Sequence, residues 1–367
     1  MAGSTIGTNF KITTWGESHG SGIGVVIDGC PAGLSLCEED IQTYLNRRKP
    51  GQSAFSTPRK EDDAVHILSG VFEGRTTGTP ISLIVVNENQ HSKDYREIAS
   101  YYRPGHADFT FDAKYGFRDY RGGGRSSGRE TIGRVAAGAV AAKILKELGI
   151  EILTYSKGIG PITIDETRFD TAEITKNPLY MPDADAAAKA ASYLEECKAM
   201  QNSAGGIIEC VITGVPAGIG DPVFEKIDAN LAKAIFSIGA VKGFEIGDGF
   251  AVAAATGLTN NDAFVTDENG SVTKETNHAG GILGGMSDGS PIVFRAAIKP
   301  TPSVASTQKT INKNGEEIEI NIKGRHDPII VPRAVVVVES MAAITIFDAM
   351  LSNMSARMDG IKDFYKK

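Results

Sequence analysis

Residues 121–134 combine residue types that bind anions, in the order Arg-Gly-Gly-Gly-Arg-Ser-Ser-Gly-Arg-Glu-Thr-Ile-Gly-Arg. Consecutive glycines let the backbone approach a ligand closely, and each arginine is a permanent, forked cation that suits carboxylate and phosphate. The Ala-rich run 135–148 that follows predicts a buried helix ended by Gly149. Because a helix N-terminus favours negative charge, the sequence predicts an anion-binding loop here. The alternative is a solvated loop whose arginines only maintain solubility.

Three histidines lie in turns that contain glycine or proline: Gly16-Glu-Ser-His-Gly20, Arg103-Pro-Gly-His-Ala-Asp108 and Gly324-Arg-His-Asp-Pro328. Histidine changes charge near neutral pH and often acts as a general acid or base. Each turn alone fits a surface histidine, but three such turns with serine, arginine or aspartate alongside favour an acid–base site built on loops. His66, by contrast, lies in an apolar run and is predicted to pack within a strand.

The chain has the composition of a soluble globular protein, with 367 residues, of which 41% are hydrophobic and 23% charged. Its net charge of −7 argues against a general nucleic-acid-binding or anionic-membrane-binding surface. The four cysteines form no Cys-x-x-Cys pair, and no signal-peptide pattern or apolar run of about 18 residues is present. These features predict a cytoplasmic protein with free thiols and no bound metal.

Two parts of the chain, about residues 20–90 and 205–300, repeat one pattern. The pattern is an apolar run that ends in Gly-x-Pro-Ala-Gly, then a helical segment, a glycine-rich turn and a strand-like segment. In the first copy these four elements lie at 23–33, 38–45, 70–81 and 82–86. In the second copy they lie at 208–218, 224–238, 281–292 and 293–297. Such a repeat indicates an internal duplication with pseudo-twofold symmetry.

We therefore predict an α+β fold in which β-sandwich-like sheets enclose a helix layer, as one domain over residues 1–367. The irregular stretch 157–185 is predicted to be a surface excursion, and residues 313–318 a hairpin tip with Asn-Gly as its turn. The segment 333–358 is apolar nearly all round, which predicts a long helix buried in the core or at a subunit interface.

The residues alone indicate a soluble α+β enzyme with a basic, histidine-containing pocket for a small anion, with a phosphate-bearing cofactor as an option. The sequence lacks the Gly-x-Gly-x-x-Gly dinucleotide fingerprint and the Gly-x-x-x-x-Gly-Lys-Ser/Thr phosphate loop.

Over essentially its whole length the chain resembles the chorismate synthase family. Besides the three histidine turns and the anion-binding loop, the matching motifs are Asp28-Gly-Cys-Pro-Ala-Gly33, Val241-Lys-Gly-Phe-Glu-Ile-Gly-Asp-Gly249, Asn277-His-Ala-Gly-Gly-Ile-Leu-Gly-Gly285 and Lys299-Pro-Thr-Pro-Ser303. Any one of these motifs is unspecific, whereas the set in this order is highly specific.

This resemblance implies a lyase that converts 5-enolpyruvylshikimate 3-phosphate to chorismate and phosphate, the last common step towards the aromatic amino acids. The reaction is an anti-1,4-elimination that requires reduced FMN, although it has no net redox change. The resemblance further implies a homotetramer and a supply of reduced flavin from an external reductant or reductase.

The resemblance also implies roles for particular residues. It implies His19 as the acid towards the leaving phosphate, His106 beside the reduced flavin, and Asp327 as a proton relay through flavin N5 assisted by Ser18 and Ser127. The positions that match flavin-binding residues are Arg125, Ser126, Ser127, Gly239, Ala240, Gly284, Lys299, Pro300, Thr301, Pro302, Ser303 and Arg325. The arginines that match the substrate's two carboxylates and phosphate are Arg48, Arg103, Arg129, Arg134 and Arg333.

One position departs from the family pattern. Many members carry arginine where this chain has Ala54, and that arginine is associated with NADP together with Arg48. Because a charge-assisted bond to phosphate contributes about 1.5–3 kcal/mol, Ala54 predicts weak NADPH-linked flavin reduction. Two other classes of function stay open: a flavin-dependent oxidoreductase, which would need a nicotinamide site, and a non-catalytic anion-binding module, which would not need three histidine turns.

Overall fold

The computed structural model describes residues 3–51, 55, 62–87, 97–321 and 327–366, and the fold is mixed α+β. The first part forms β1 (Thr5–Ile6), β2 (Lys11–Gly16), β3 (Gly22–Asp28), α1 (Glu38–Arg48), β4 (Val65–Ile67), β5 (Val71–Phe72), β6 (Arg75–Thr76), β7 (Ile81–Val86), α2 (Asp108–Tyr115) and α3 (Thr131–Glu147). The second part forms β8 (Glu151–Ile159), β9 (Ile162–Thr163), α4 (Ala184–Ala199), β10 (Gly206–Thr213), α5 (Ile227–Phe236), β11 (Val241–Ile246), α6 (Gly257–Asn260), β12 (Phe264–Thr266), β13 (Val272–Lys274), β14 (Ile282–Leu283), β15 (Met286–Ser287), β16 (Ile292–Ile298), β17 (Gln308–Ile311), β18 (Glu317–Ile320), α7 (Val331–Asn353) and α8 (Met358–Tyr365).

Two five-stranded sheets carry most of the core. The first has the strand order β1-β2-β3-β7-β4 and the second the order β11-β16-β10-β8-β9, with antiparallel neighbours throughout. Successive side chains of a strand point to opposite faces, so apolar residues at alternate positions build a buried face. On the central strands β3 and β10 that face consists of Ile23, Val25, Ile27, Ile208, Cys210 and Ile212.

The two sheets share one order of elements. In the first, β3 pairs with β2 and β7, and α1 and β4 lie between β3 and β7 in sequence. In the second, β10 pairs with β8 and β16, and α5 and β11 lie between β10 and β16. A short hairpin precedes the last strand of each unit, β5–β6 before β7 and β14–β15 before β16. The strands and helices predicted for both repeats are therefore present.

Two long apolar helices connect the sheets. α3 packs on β2, β3 and β7 of the first sheet, α7 packs on β8 and β10 of the second, and the two helices pack on each other. By length and composition α7 could cross a membrane, with a mean hydropathy of 1.9, but 67% of its apolar window is buried inside the fold. The all-round apolar sequence is thus explained by burial in the protein core.

The contact between α3 and α7 depends on a glycine, which gives a stability prediction. A Cβ atom at Gly138 would lie 2.2 Å from Ser340 Cβ and 2.5 Å from its Cα, so the helices would have to move apart. We expect Gly138→Ala to lower the free energy of unfolding by about 1–3 kcal/mol, the usual cost of overpacking. Urea unfolding would measure this.

The matched control is Gly360→Ala in α8, where a Cβ atom meets nothing within 4 Å. Alanine is the better helix former by about 1 kcal/mol, so this variant should be neutral or slightly more stable. Equal stability of the Gly138→Ala variant and wild type would contradict the close helix contact.

The predicted helix 333–358 is α7, which begins at Val331 and ends at Asn353, so its C-terminal boundary was wrong. α8 begins only after Arg357, whose backbone is extended. Residues 354–357 therefore separate the two helices.

Three other local predictions have mixed outcomes. The hairpin tip 313–318 is confirmed, because β17 and β18 pair on either side of it. The stretch 157–185 is irregular apart from the end of β8, the short strand β9 and the start of α4. Its prediction as a surface excursion was wrong, because Ile174, Leu179 and Met181 are buried in the core. His66 does lie in a strand, but β4 is an edge strand and the side chain is exposed, so its predicted packing was wrong.

Candidate active site

The glycine- and arginine-rich loop is held against the end of β2. It forms two short 3-10 turns, Gly124–Ser126 and Gly128–Glu130, before α3 begins. The guanidinium of Arg125 donates to the carbonyl oxygens of Thr14 at 3.0 Å and Gly16 at 3.1 Å. These bonds fix the loop to the first sheet, which contradicts the alternative of a solvated loop.

His19 packs directly on this loop. Ser18 Oγ lies 3.1 Å from His19 Nδ1, and Ser18 itself is buried. A Cβ atom added to Gly122 would lie only 2.1 Å from His19 Nδ1, so the imidazole contacts bare backbone. Such a close approach requires glycine. The structure therefore brings together the first histidine turn and the anion-binding loop.

A buried ion cluster lies beside the same loop. Arg48 is 1% exposed, and its Nη2 lies 2.5 Å from Asp63 Oδ2, while Arg129 Nη1 lies 3.3 Å from Asp63 Oδ1. Arg48 also donates to the carbonyl oxygen of Gly128 at 3.4 Å, which ties α1 to the loop. Asp63 has a φ of +47°, a strained conformation that recurs at functional sites. The strained backbone thus holds one carboxylate between two arginines.

Arg333 and Asp327 extend this set, and we call all five residues (Arg48, Asp63, Arg129, Asp327 and Arg333) the arginine cluster. Arg333 Nε donates to the carbonyl oxygen of Arg48 at 3.0 Å, and its Nη1 lies 2.7 Å from Asp327 Oδ2. Burial, together with the charge of Arg48, lowers the pKa of Arg333. Within the described part of the chain this cluster holds three guanidiniums and two carboxylates, a composition that suits an anionic ligand.

His106 lies in a second group of contacts, with the segment 299–303. Its Nδ1 is 2.9 Å from the carbonyl oxygen of Pro104, and its Nε2 is 2.9 Å from Ser303 Oγ. A carbonyl only accepts, so Nδ1 carries the proton and Nε2 accepts from the serine. Lys299 Nζ donates to the carbonyl oxygen of Gly105 at 2.9 Å. The structure thereby joins the second histidine turn to the Lys299–Ser303 motif, two motifs that were predicted separately.

Arg103, predicted to bind substrate, is paired within its own turn. Its Nε and Nη2 donate to the two carboxylate oxygens of Asp108, each at 2.8 Å.

Burial and the nearby charge of Arg103 lower the pKa of His106. The imidazole is therefore neutral at pH 7, in a form that can accept a proton.

The lowered pKa of His106 predicts how stability depends on pH. As the pH falls below about 6.5, the ordinary pKa of histidine, the unfolded chain takes up a proton that folded His106 does not. This contribution to stability is therefore complete above about pH 6.5 and is lost as the pH falls through the lowered folded pKa. In urea unfolding at a series of pH values, His106→Asn should lose stability less steeply than wild type on acidification. Parallel curves would contradict this role.

Backbone contacts join the His106 group to the arginine cluster. Ser203 Oγ donates to the carbonyl oxygen of Thr301 at 2.7 Å, and the N–H of Ala204 donates to the carbonyl oxygen of Pro328 at 2.8 Å. Pro328 directly follows Asp327 of the arginine cluster. The second histidine turn therefore lies in one continuous region with Asp327 and Pro328, the two described residues of the third turn.

Arg134 connects the loop to the end of α5. Its Nε lies 2.7 Å from Glu130 Oε2, and its Nη1 donates to Ser237 Oγ at 2.5 Å. Soon after Ser237, the carbonyl oxygen of Ala240 accepts the N–H of Lys299 at 2.9 Å. Arg134, predicted to bind substrate, is therefore paired with Glu130 and Ser237 in the structure.

The chain around residues 239–303 has features that fit the flavin implied by the resemblance. Thr301 Oγ1 is buried and has no hydrogen-bond partner among the residues that the structure describes. A Cβ atom at Gly239 would meet nothing within 4 Å, so the backbone there is open to a ligand. Ala240 has a strained φ of +74°, as residues at ligand sites often do. An open backbone and a buried, unused hydroxyl suit a planar ligand with many polar atoms.

Gly284 lies apart from the other predicted flavin positions. The carbonyl oxygen of its neighbour Gly285 accepts the N–H of Ile227, at the start of α5, whereas Gly239 follows the end of that helix. A helix of ten residues is about 15 Å long. A ligand that contacts both glycines would therefore have to span α5. Two further predictions, Arg325 and Ala54, lie outside the described residues.

Two polar residues of this region were not found by sequence reasoning. Asp63 is buried between arginines, and Asn87 accepts from Arg129 through its side-chain oxygen. Asp63 follows an unpatterned polar stretch, and no sequence signal marked it. Asn87 directly follows the apolar strand β7, and a polar residue at a strand end was the one available signal.

Fold and site together define an α+β protein whose loops hold His19 and His106 together with a cluster of buried arginines suited to an anionic ligand. A sequence model of chorismate synthase matches residues 10–351. The chain is 76% identical to a chorismate synthase of Agathobacter rectalis and 69% identical to one of Lachnoclostridium phytofermentans, each over the full length of both chains. A solved structure titled "Crystal Structure of Chorismate Synthase" superimposes with a TM-score of 0.76 at 32% identity, covering 98% of this chain and 96% of the other.

The chain therefore belongs to the chorismate synthase family. Members of this family are carbon–oxygen lyases that form chorismate in the shikimate pathway, which supplies the aromatic amino acids.

Proposed function

We propose that this chain eliminates phosphate from 5-enolpyruvylshikimate 3-phosphate to form chorismate, with reduced FMN as its cofactor. The observation that carries the proposal is the convergence of Arg48, Arg129 and Arg333 beside the loop that packs on His19. The substrate carries two carboxylates and a phosphate, and arginine binds each of these groups through paired hydrogen bonds. Three guanidiniums thus correspond to three anionic groups.

In the elimination, the C–O bond to phosphate and a C–H bond at a distant carbon break, a C=C bond forms, and phosphate and a proton leave. We assign His19 to the leaving phosphate. Its imidazole would donate a proton to the phosphate oxygen as a general acid, with Ser18 Oγ 3.1 Å from its Nδ1. The neighbouring arginines stabilise the negative charge that develops there.

Reduced FMN, when bound, supplies electron density that eases departure of the phosphate, and this electron density returns to the flavin by the end of the reaction. Lys299, Thr301 and Ser303 are the residues that we expect to hold it, together with the turn at Gly239. His106 stays neutral beside them, because its pKa is lowered, and its Nε2 is available to accept a proton once Ser303 turns away. Asp327, held by Arg333, is assigned to relay the substrate proton, and Ser127 of the loop is assigned to assist it.

The test is an anaerobic assay of the purified chain with the phosphate ester and dithionite-reduced FMN. We expect chorismate and free phosphate to appear together, and neither to appear when flavin is omitted. With NADPH and oxidised FMN instead of dithionite, Ala54 predicts little or no product. A folded chain that forms no chorismate with reduced flavin would refute the proposed function.

We also infer the wider setting of the enzyme. The shared strand order of the two sheets supports an internal duplication, with the sheets enclosing the α3–α7 layer and residues 1–367 acting as one domain. Family membership supports a homotetramer in the cytoplasm that takes reduced flavin from an external reductant or reductase. Size-exclusion chromatography with light scattering would test the tetramer.

A further inference from the structure

Asn87 lies between the turn that carries His19 and the arginine cluster. Its side-chain Nδ2 donates to the carbonyl oxygens of Glu17 at 3.0 Å and Gly20 at 2.8 Å. Its Oδ1 accepts from Nε of Arg129 at 3.1 Å and from Nη2 at 2.8 Å. The backbone N–H of Asn87 also donates to the carbonyl oxygen of Ser21 at 3.1 Å. One carboxamide therefore contacts both groups.

The chemistry of the partners fixes which way this carboxamide points. Backbone carbonyls only accept hydrogen bonds and a guanidinium only donates them. The NH₂ group must therefore face the histidine turn, and the oxygen must face Arg129. All of the principal donors and acceptors of the amide are used in this one orientation, which makes it a rigid link.

The two carbonyls that Asn87 holds flank the reactive part of the turn. Glu17 and Gly20 are also joined directly, because the N–H of Gly20 donates to the carbonyl oxygen of Glu17 at 3.1 Å. Ser18 and His19 lie between them, and the imidazole packs on Gly122 from the other side. The position of His19 thus depends on contacts from two directions.

We propose that Asn87 is a positioning residue that couples the placement of His19 to the placement of Arg129. This inference rests on the proposed function, since it assigns Arg129 to the substrate and His19 to the leaving phosphate. An anion that binds Arg129 and shifts its guanidinium also shifts the Asn87 carboxamide, and the hydrogen bonds of that carboxamide transmit the shift to the histidine turn. Substrate binding therefore orients His19, the assigned acid, towards the leaving phosphate.

Asn87→Asp tests the link with little change in shape. The carboxylate still accepts from Arg129, but it loses both donors to the turn and places negative charge against two carbonyl oxygens. A catalytic group misplaced by about 1 Å can lose on the order of a hundred-fold in rate. We expect kcat to fall by about 10- to 100-fold, with a smaller change in KM because the contact with Arg129 is kept.

Asn312→Asp is the matched control. Asn312 donates through Nδ2 to Glu316 Oε2 at 2.7 Å and accepts from the backbone N–H groups of Asn314 at 2.9 Å and Glu316 at 3.0 Å, in the turn between β17 and β18. This variant makes the same chemical change in an amide whose bonds all lie within one hairpin. It should lose stability while keeping kcat within about twofold of wild type.

A double-mutant cycle with His19→Ala separates positioning from general destabilisation. If Asn87 acts through His19, adding Asn87→Asp to the His19→Ala variant should lower kcat by less than about twofold further. If the Asp variant does not fold, as judged by urea unfolding, Asn87→Ala takes its place in the same cycle. The inference would be overturned if the kcat losses of the two single variants multiplied in the double variant. It would also be overturned if an Asn87 variant kept a near-normal kcat. A wild-type chain without turnover would instead refute the proposed function, and this inference with it.

Discussion

Replacing Gly122 with alanine is expected to lower turnover about as far as replacing His19 itself, by about 10²–10⁴-fold. The added methyl group would lie 2.1 Å from His19 Nδ1 and 3.0 Å from Ser18 Oγ, so it must displace the imidazole. Flavin binding should persist in both variants, because Lys299, Thr301 and Ser303, which we expect to hold the flavin, lie outside this loop. Anaerobic turnover with saturating reduced FMN would measure the loss.

Gly128→Ala in the same loop is the control for this prediction. A Cβ atom there meets nothing within 4 Å, and its carbonyl contacts with Arg48 and Thr131 use backbone that the substitution keeps. Turnover of this variant should stay within about threefold of wild type. If the Gly122→Ala variant were as active as Gly128→Ala, the assignment of His19 would be wrong.

The second large effect is expected for Arg129→Ala, which should weaken binding of the phosphate ester by at least about 10- to 100-fold. A lost charge-assisted hydrogen bond contributes about 1.5–3 kcal/mol, and this side chain is only 10% exposed. Calorimetric titration of the ester should show the loss, whereas binding of FMN alone should change little. The gain in flavin affinity that the ester confers should shrink as well, because linkage between two ligands is reciprocal.

Arg121→Ala provides the matched control within the same loop. Arg121 is half exposed and pairs with Asp119 at the surface, where ion pairs contribute about 0–1 kcal/mol. Its loss should leave ester binding within about threefold of wild type. Equal weakening by the two substitutions would indicate a general charge effect, and the specific role of Arg129 would then be withdrawn.

The fold could be predicted from sequence wherever a pattern was strong and local. The strand and helix order of both repeats is present in the structure, since apolar runs and Gly-x-Pro-Ala-Gly turns specify it within a few residues. α4 was not predicted, because Ala-rich segments without a motif give little periodic contrast. The end of α7 was missed, because the apolar pattern carries no signal that marks Asn353 as the last residue of the helix.

The site could be predicted only in part, for a physical reason. Residue types identified the loop and the histidine turns, but the partner of each arginine depends on tertiary packing. Arg103 and Arg125 illustrate this, because one pairs with Asp108 and the other with carbonyl oxygens at the end of β2. The buried carboxylate of Asp63 depends on a left-handed backbone that no sequence motif marked.

The most direct test counts products per reduced flavin in an anaerobic reaction with limiting FMN. The central claim is that this site eliminates phosphate without net redox chemistry. It predicts chorismate and phosphate in equal amounts, many equivalents of each per flavin, and flavin still reduced at the end. Product limited to one equivalent per flavin, with the flavin oxidised, would contradict the claim and indicate an oxidoreductase instead.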